Sequence, residues 1–120
     1  MELFEILSTD YEFEDNRGKL TQLIHEGFSQ VNVLFSKSGV LRGQHFHKIA
    51  KEAFYVIEGE VRVSFSLGEK NEEKTFKTGD FFMVLPFVKH SMFFPVDCTM
   101  VQMYDIPVED TNGNKDIYNE

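Results

Sequence analysis

In the stretch VRVSFSL, Val61, Val63, Phe65 and Leu67 alternate with Arg62, Ser64 and Ser66. A two-residue period sends alternate side chains to opposite faces of an extended chain, so this segment predicts a strand with one dry and one wet face. Similar segments recur. QVNVLFS is apolar and β-branched, and EAFYVIEGEVRVSFSLGEKNEEKTF reads as three strands parted by a tight turn at Glu58-Gly59 and a loop around Gly68. TGDFFMVLP enters a strand from a turn and is ended by Pro86; HSMFFP and CTMVQMYDI complete the set. ELFEIL is an exposed first strand. Only short windows have helical character, around Lys48 to Lys51 and in the polar tail from about residue 107, which is expected to be extended or loosely packed. Eight or more short strands at close turn spacing predict an all-β sandwich or barrel of antiparallel sheets.

A chain of 120 residues with 42% apolar content is expected to form one domain with a real core. Thirteen phenylalanines and no tryptophan make that core rich in plain aromatic surface. The formal charge of −8 repels phosphate backbones, so no nucleic-acid partner is expected, although a few local arginines could still grip one anionic ligand. Cys98 stands alone and is expected to be a small buried residue in a reducing interior. MELFEILSTD lacks a basic start followed by an apolar run, and FFMVLPFV is too short to span a bilayer. No membrane association is expected, and the expected location is cytoplasmic.

The polar positions that break the apolar pattern gather in GVLRGQHFHKIAKEAFYVIEG. On a strand, His45 and His47 share a face and Phe46 takes the other. Glu52 opens the next strand, and His90 follows the Pro86 turn. Three of the four histidines and one acid could therefore converge inside the barrel. The remaining one, His25, is expected to be an exposed strand-end residue.

Written as spacing, the stretch is Gly39, five residues, His45-x-His47, four residues, Glu52, six residues, Gly59. This resembles the first signature of the cupin superfamily at every position. The second signature is matched by Gly79, Pro86 and His90, with the proline one place late. Phe94 stands where an asparagine is expected, and the usual glycine after the proline is missing. The resemblance implies a small double-stranded β-helix, or jelly-roll barrel. It also implies that His45, His47, Glu52 and His90 are metal ligands. Imidazole and carboxylate donors suit zinc, iron, nickel or manganese. The plainer alternative is a hydrogen-bonded histidine cluster without metal.

DNRGKL (Asp15 to Leu20) and VLRGQHFHK (Val40 to Lys48) resemble the nucleotide-sugar branch of cupins, the dTDP-4-keto-6-deoxyhexose 3,5-epimerases and 3,4-ketoisomerases. VQMYDIPVEDTNGNKDIY resembles the cupin domain at the C-terminus of capsular-polysaccharide reductases. These resemblances imply a sugar-nucleotide isomerase of surface-polysaccharide biosynthesis with no organic cofactor. His45 matches the family's base, Tyr104 falls near its tyrosine acid, and Arg17 and Arg42 match arginines that grip phosphate or sugar. Lys48 could hold an enolate oxygen or phosphate. Each has a plainer reading: Arg17 as a solvated turn residue, Arg42 as an ion-pair partner, Lys48 as a surface charge, Tyr104 as a core aromatic. If His45 binds a metal it is not free as a base, and Glu52 favours the metal. A metal-dependent cupin of another class, such as a dioxygenase, and a non-catalytic sugar- or metabolite-binding cupin are the competing readings. Cupins of this type usually exchange edge strands, so a homodimer is expected, with Arg17 serving the neighbour's pocket.

Overall fold

The computed structural model describes residues 3–119. Eleven strands are present among them: β1 (Phe4–Ile6), β2 (Tyr11–Asp15), β3 (Gly18–Gln22), β4 (Gln30–Ser36), β5 (Leu41–His45), β6 (Glu52–Glu58), β7 (Glu60–Leu67), β8 (Lys70–Lys77), β9 (Phe81–Val84), β10 (Lys89–Phe93) and β11 (Cys98–Tyr104). One sheet runs β1-β9-β6-β11-β4 and a second runs β5-β10-β7-β8, all pairs antiparallel. From β4 to β7, and again from β8 to β11, successive strands alternate between the sheets, which is the winding of a jelly roll. β1 lies at a sheet edge, as the reading of ELFEIL implied; Glu2 of that stretch lies outside the described residues.

The alternation in VRVSFSL is realised: Val61, Val63 and Phe65 are buried while Arg62 and Ser64 are exposed. Phe76 and Phe82 stack with centroids 3.8 Å apart, and Phe54 stacks on Phe82 at 5.3 Å. Burying each such ring contributes about 1.5–3 kcal/mol, so one end of the barrel is a dry aromatic plug. Phe81 and Phe94 are buried as well, whereas Phe93 is only half-buried, its ring beneath Arg62. Cys98 is buried, and burial pushes its thiol up.

Two expectations are corrected. No helix occurs among the described residues, so none is long and apolar enough to cross a membrane. At Lys48 to Lys51 the reason is local. The carboxylate of Asp116 takes the N–H groups of Lys48, Ile49 and Ala50, and that of Asp105 takes Lys51, which holds the segment as a loop. The tail is not loosely packed either: Tyr118 pairs in both directions with Phe46, and Asp110 closes a turn onto Asn112 and Asn114.

The β2–β3 hairpin, not read as strands from the sequence, forms a separate two-stranded sheet turning at Asn16-Arg17. Its Tyr11, Phe13 and Leu20 are exposed.

Candidate functional site

β4 ends one sheet and β5 the other, and the two are not paired, so the barrel has a seam there. Several positions near the seam are polar: Asn32 and Ser36 on β4, Arg42 and His45 on β5, Gln102 and Tyr104 on β11, with Asn32 and Arg42 exposed. Arg42 bridges the seam, its Nε donating to Ser36 Oγ at 2.8 Å and its terminal nitrogen to the Phe35 carbonyl at 3.3 Å.

His45 reaches the interior through a bulge. In the β5–β10 ladder His45 opposes His90 and Gly43 opposes Ser91, leaving Gln44 as the extra residue at φ 68°. Gly43 sits at φ 92°, and a Cβ there would meet the His90 carbonyl oxygen at 2.9 Å. The Arg-Gly-x-His motif is thus a bulge that lets β5 press onto β10 and swings the imidazole inward.

His45, His47, Glu52 and His90 each offer a ligand atom, and these atoms lie within 4.8 Å of one another. His47, Glu52 and His90 are all but inaccessible; His45, half-buried, is the member nearest the outside. His47 Nε2 and His90 Nε2 both stand 3.0 Å from Glu52 Oε1. His90 Nε2 is close but misaligned for a hydrogen bond and is left as a buried nitrogen without a partner. Their other nitrogens are occupied: His47 Nδ1 donates to the Asp116 carbonyl at 2.6 Å and His90 Nδ1 to the Val88 carbonyl at 3.2 Å. A carbonyl can only accept, so each Nδ1 carries a hydrogen, and a ring with no second proton turns its lone pair toward an anionic oxygen. Two lone pairs converging on a carboxylate repel unless positive charge lies between them. Bound protons or a divalent cation would supply it, and the donor set of three imidazoles and one carboxylate fits such a cation.

Burial works to raise the Glu52 carboxyl, but the adjacent His47 and His90 rings outweigh it and hold the group well below the usual carboxylate range. Burial likewise opposes charge on His47, yet its bond to Glu52, that group's charge and the Asp116 carbonyl push it above the ordinary imidazole value. For His45 the balance is reversed: burial, then the neighbouring His90, outweigh the Glu52 charge and the Gly43 backbone and lower it to about 4. It is therefore a neutral imidazole near pH 7.

Gln102 and Asn32 went unnoticed in the sequence. Gln102 Nε2 donates to Glu52 Oε2 at 2.7 Å, and Asn32 Nδ2 donates to Gln102 Oε1 at 3.0 Å. Alternation along CTMVQMYDI carried the signal, since Gln102 shares a face with buried Met100 and Tyr104.

Tyr104 faces inward beside His47, the ring centroids 5.4 Å apart, and Gln102 Nε2 is 3.4 Å from its hydroxyl. Burial and the Glu52 charge push that hydroxyl far above its ordinary value. Arg17 is not among these groups. At the hairpin tip its side chain is 81% exposed and bonds Asp15 at 2.6 and 3.0 Å, the arrangement of a solvated turn residue. Lys48 is exposed, its Nζ 4.2 Å from the centre of the Tyr118 ring. His25 is exposed and bonded to Asp10 at 2.6 Å.

The chain is similar in structure to a variant of QdtA, a 3,4-ketoisomerase from Thermoanaerobacterium thermosaccharolyticum in complex with TDP-4-keto-6-deoxyglucose, with TM-score 0.81, 15% identity, and 100% of this chain and 89% of that one covered. A 3,4-ketoisomerase from Helicobacter canadensis gives TM-score 0.81 at 17% identity, covering 98% of this chain and 90% of that one. The dTDP-4-dehydrorhamnose 3,5-epimerase of Sulfolobus tokodaii gives TM-score 0.70 at 16% identity, covering 93% of this chain and 80% of that one. No curated protein sequence matches the chain. The fold is thus the cupin jelly roll that the two signatures implied. A family model matches residues 13–105, three quarters of the chain, and the chain belongs to that family, the polysaccharide biosynthesis C-terminal domain.

Proposed function

We propose that the chain is a sugar-nucleotide epimerase or ketoisomerase acting on a 4-keto-6-deoxyhexose nucleotide in surface-polysaccharide biosynthesis. The observation that carries this reading is the cluster of His45, His47, Glu52 and His90 with Gln102 and Tyr104 against it, and Arg42 at the seam of the same barrel, whose fold is shared with an enzyme crystallised with such a nucleotide.

The 4-keto group acidifies the proton on the adjacent carbon. A base removes that proton to leave an enolate. Return of a proton to the carbon's other face inverts it, and return to oxygen begins the shift of the ketone. The reaction needs a base, a donor toward the enolate oxygen and cations for the diphosphate. His45 is the half-buried member of the cluster, nearest the outside, and is neutral, so its lone pair can take a proton or a cation. Its lowered value suits a ligand; the approach of an anionic substrate raises it toward the range a base needs. Tyr104 retains its proton and serves as donor. Arg42, pinned across the seam, still has N–H groups to offer a phosphate in its planar fork. A divalent cation held by His45, His47, Glu52 and His90 would supply Lewis-acid stabilisation of enolate charge.

Arg17 is proposed to act in the pocket of a second copy. The apolar stripe Val31, Val33 and Phe35 on edge strand β4 is 59%, 72% and 51% exposed, and with the exposed hairpin it supports a homodimer. Light scattering on a chromatographed sample decides this, and a clean monomer counts against it. The lone buried Cys98 supports a cytoplasmic home.

The test is incubation with TDP-4-keto-6-deoxyglucose in deuterated water, followed by NMR of the C3 proton. Exchange is expected in the parent protein and not in His45→Asn. A folded sample that exchanges no proton with several 4-keto nucleotides overturns the reading. Because three histidines and a carboxylate also suit oxygen-dependent iron chemistry, oxygen uptake by iron-loaded protein is the sign of the second reading, a dioxygenase-like cupin.

A further inference from the structure

We propose that Asp116 is a positioning residue for the histidine–glutamate cluster, its side chain and its own carbonyl together holding His47 and the loop leading to Glu52. This rests on reading the cluster as a metal centre.

The N–H groups of Lys48, Ile49 and Ala50 all point at one carboxylate, Lys48 to Oδ1 at 2.9 Å and the other two to Oδ2 at 3.0 and 2.9 Å. The carbonyl of the same residue accepts the Nδ1–H of His47 at 2.6 Å. One residue thus satisfies three consecutive donors in the loop between two cluster members and also orients the ring of the first. Two residues on, Tyr118 exchanges hydrogen bonds with Phe46 at 2.9 and 3.0 Å, gripping His47 from its other neighbour.

An imidazole ligates only when its lone-pair nitrogen is aimed, and the bond at the opposite nitrogen sets both tautomer and ring orientation. Here that acceptor lies 69 residues away in sequence, and the carboxylate of the same residue ties it to the loop after His47, beside the Asp116 N–H bond to the Val108 carbonyl at 2.8 Å. Without the carboxylate, three loop amides lose their partner and the carbonyl loses its tie to that loop. By reciprocity, a cation that favours the aimed ring also tightens the tail by the same factor.

The experiment uses the full chain with Co²⁺ as probe. It compares the parent, Asp116→Ala, Asp116→Asn and the control Asp110→Ala, which opens the tail's turn away from the clamp. The readouts are Co²⁺ affinity by chelator competition, the cobalt absorption spectrum, exchange of the Lys48, Ile49 and Ala50 amides, and the His47 tautomer by nitrogen NMR. Asp116→Ala is expected to weaken Co²⁺ binding about 10–100-fold, shift the spectrum, speed amide exchange and populate the second tautomer. Asp116→Asn keeps one acceptor oxygen and is expected to fall between parent and alanine, and it decides the matter if the alanine variant does not fold. Asp110→Ala is expected to stay within about twofold of the parent on the same scale. A folded Asp116 variant with parental affinity, spectrum and tautomer overturns the proposal. If the parent does not bind Co²⁺, the metal reading fails, and the tautomer and amide exchange still decide the clamp: changed in Asp116→Ala they support it, unchanged they overturn it.

Discussion

Gly43→Ala tests how the fold assembles the site. Gly43 has φ 92°, and an added Cβ would lie 2.9 Å from the His90 carbonyl oxygen and 3.3 Å from the Ser91 Cα. Both are backbone atoms of β10, so no flexible side chain can move aside. Gly39 is the matched control, with φ 88° and open space where its Cβ would go. A side chain in the left-handed region costs about 1–2 kcal/mol, and that cost falls on both variants. Forcing a packed contact apart adds about 1–3 kcal/mol, and that falls on Gly43 alone. Gly39→Ala is therefore expected to lose about 1–2 kcal/mol and Gly43→Ala about 2–5 kcal/mol. At this size each kcal/mol moves the thermal midpoint by about 4 °C. Urea denaturation with parallel thermal melts measures the difference. Because β5 must retreat from β10 where His45 faces His90, Co²⁺ affinity is expected to fall in Gly43→Ala and hold in Gly39→Ala. Equal stability losses in the two variants, with equal cobalt binding, would refute the close-approach argument.

Other outcomes follow from the same geometry. Gln102→Leu removes the hydrogen bond that Gln102 gives the buried Glu52 Oε2, and is expected to cost about 1–3 kcal/mol in urea denaturation; a neutral result would show that this bond contributes nothing. Glu52→Gln preserves shape and removes the only anionic donor of the cluster, so Co²⁺ affinity should fall by more than about 100-fold, beyond the loss typical of residues that merely support a ligand; chelator competition measures it, and retained affinity would remove Glu52 from the ligand set. Phe87 holds φ 70° at the place of the missing motif glycine and is 52% exposed. Phe87→Asn should be more stable than Phe87→Val by about 1 kcal/mol, because asparagine tolerates this conformation and a β-branched side chain does not; the reverse order in chemical denaturation would place the strain elsewhere.

Strand alternation made the all-β architecture legible, since burial of one face needs only local order, and motif spacing singled out His45, His47, Glu52 and His90. It could not say which strands would adjoin. The seam between β4 and β5, the bulge at Gln44 that turns His45 inward, and the isolation of Arg17 on its own hairpin are products of pairing between distant segments. Gln102 was readable in principle, as a polar residue on the buried face of an apolar strand. Asp116 was not: its carbonyl and carboxylate bond a loop almost seventy residues earlier, and nothing in a polar tail announces that. Local periodicity set which side chains turn inward, because that depends on neighbours two positions apart. Only the closed barrel decided which of them share a point in space, because that depends on how the whole chain packs.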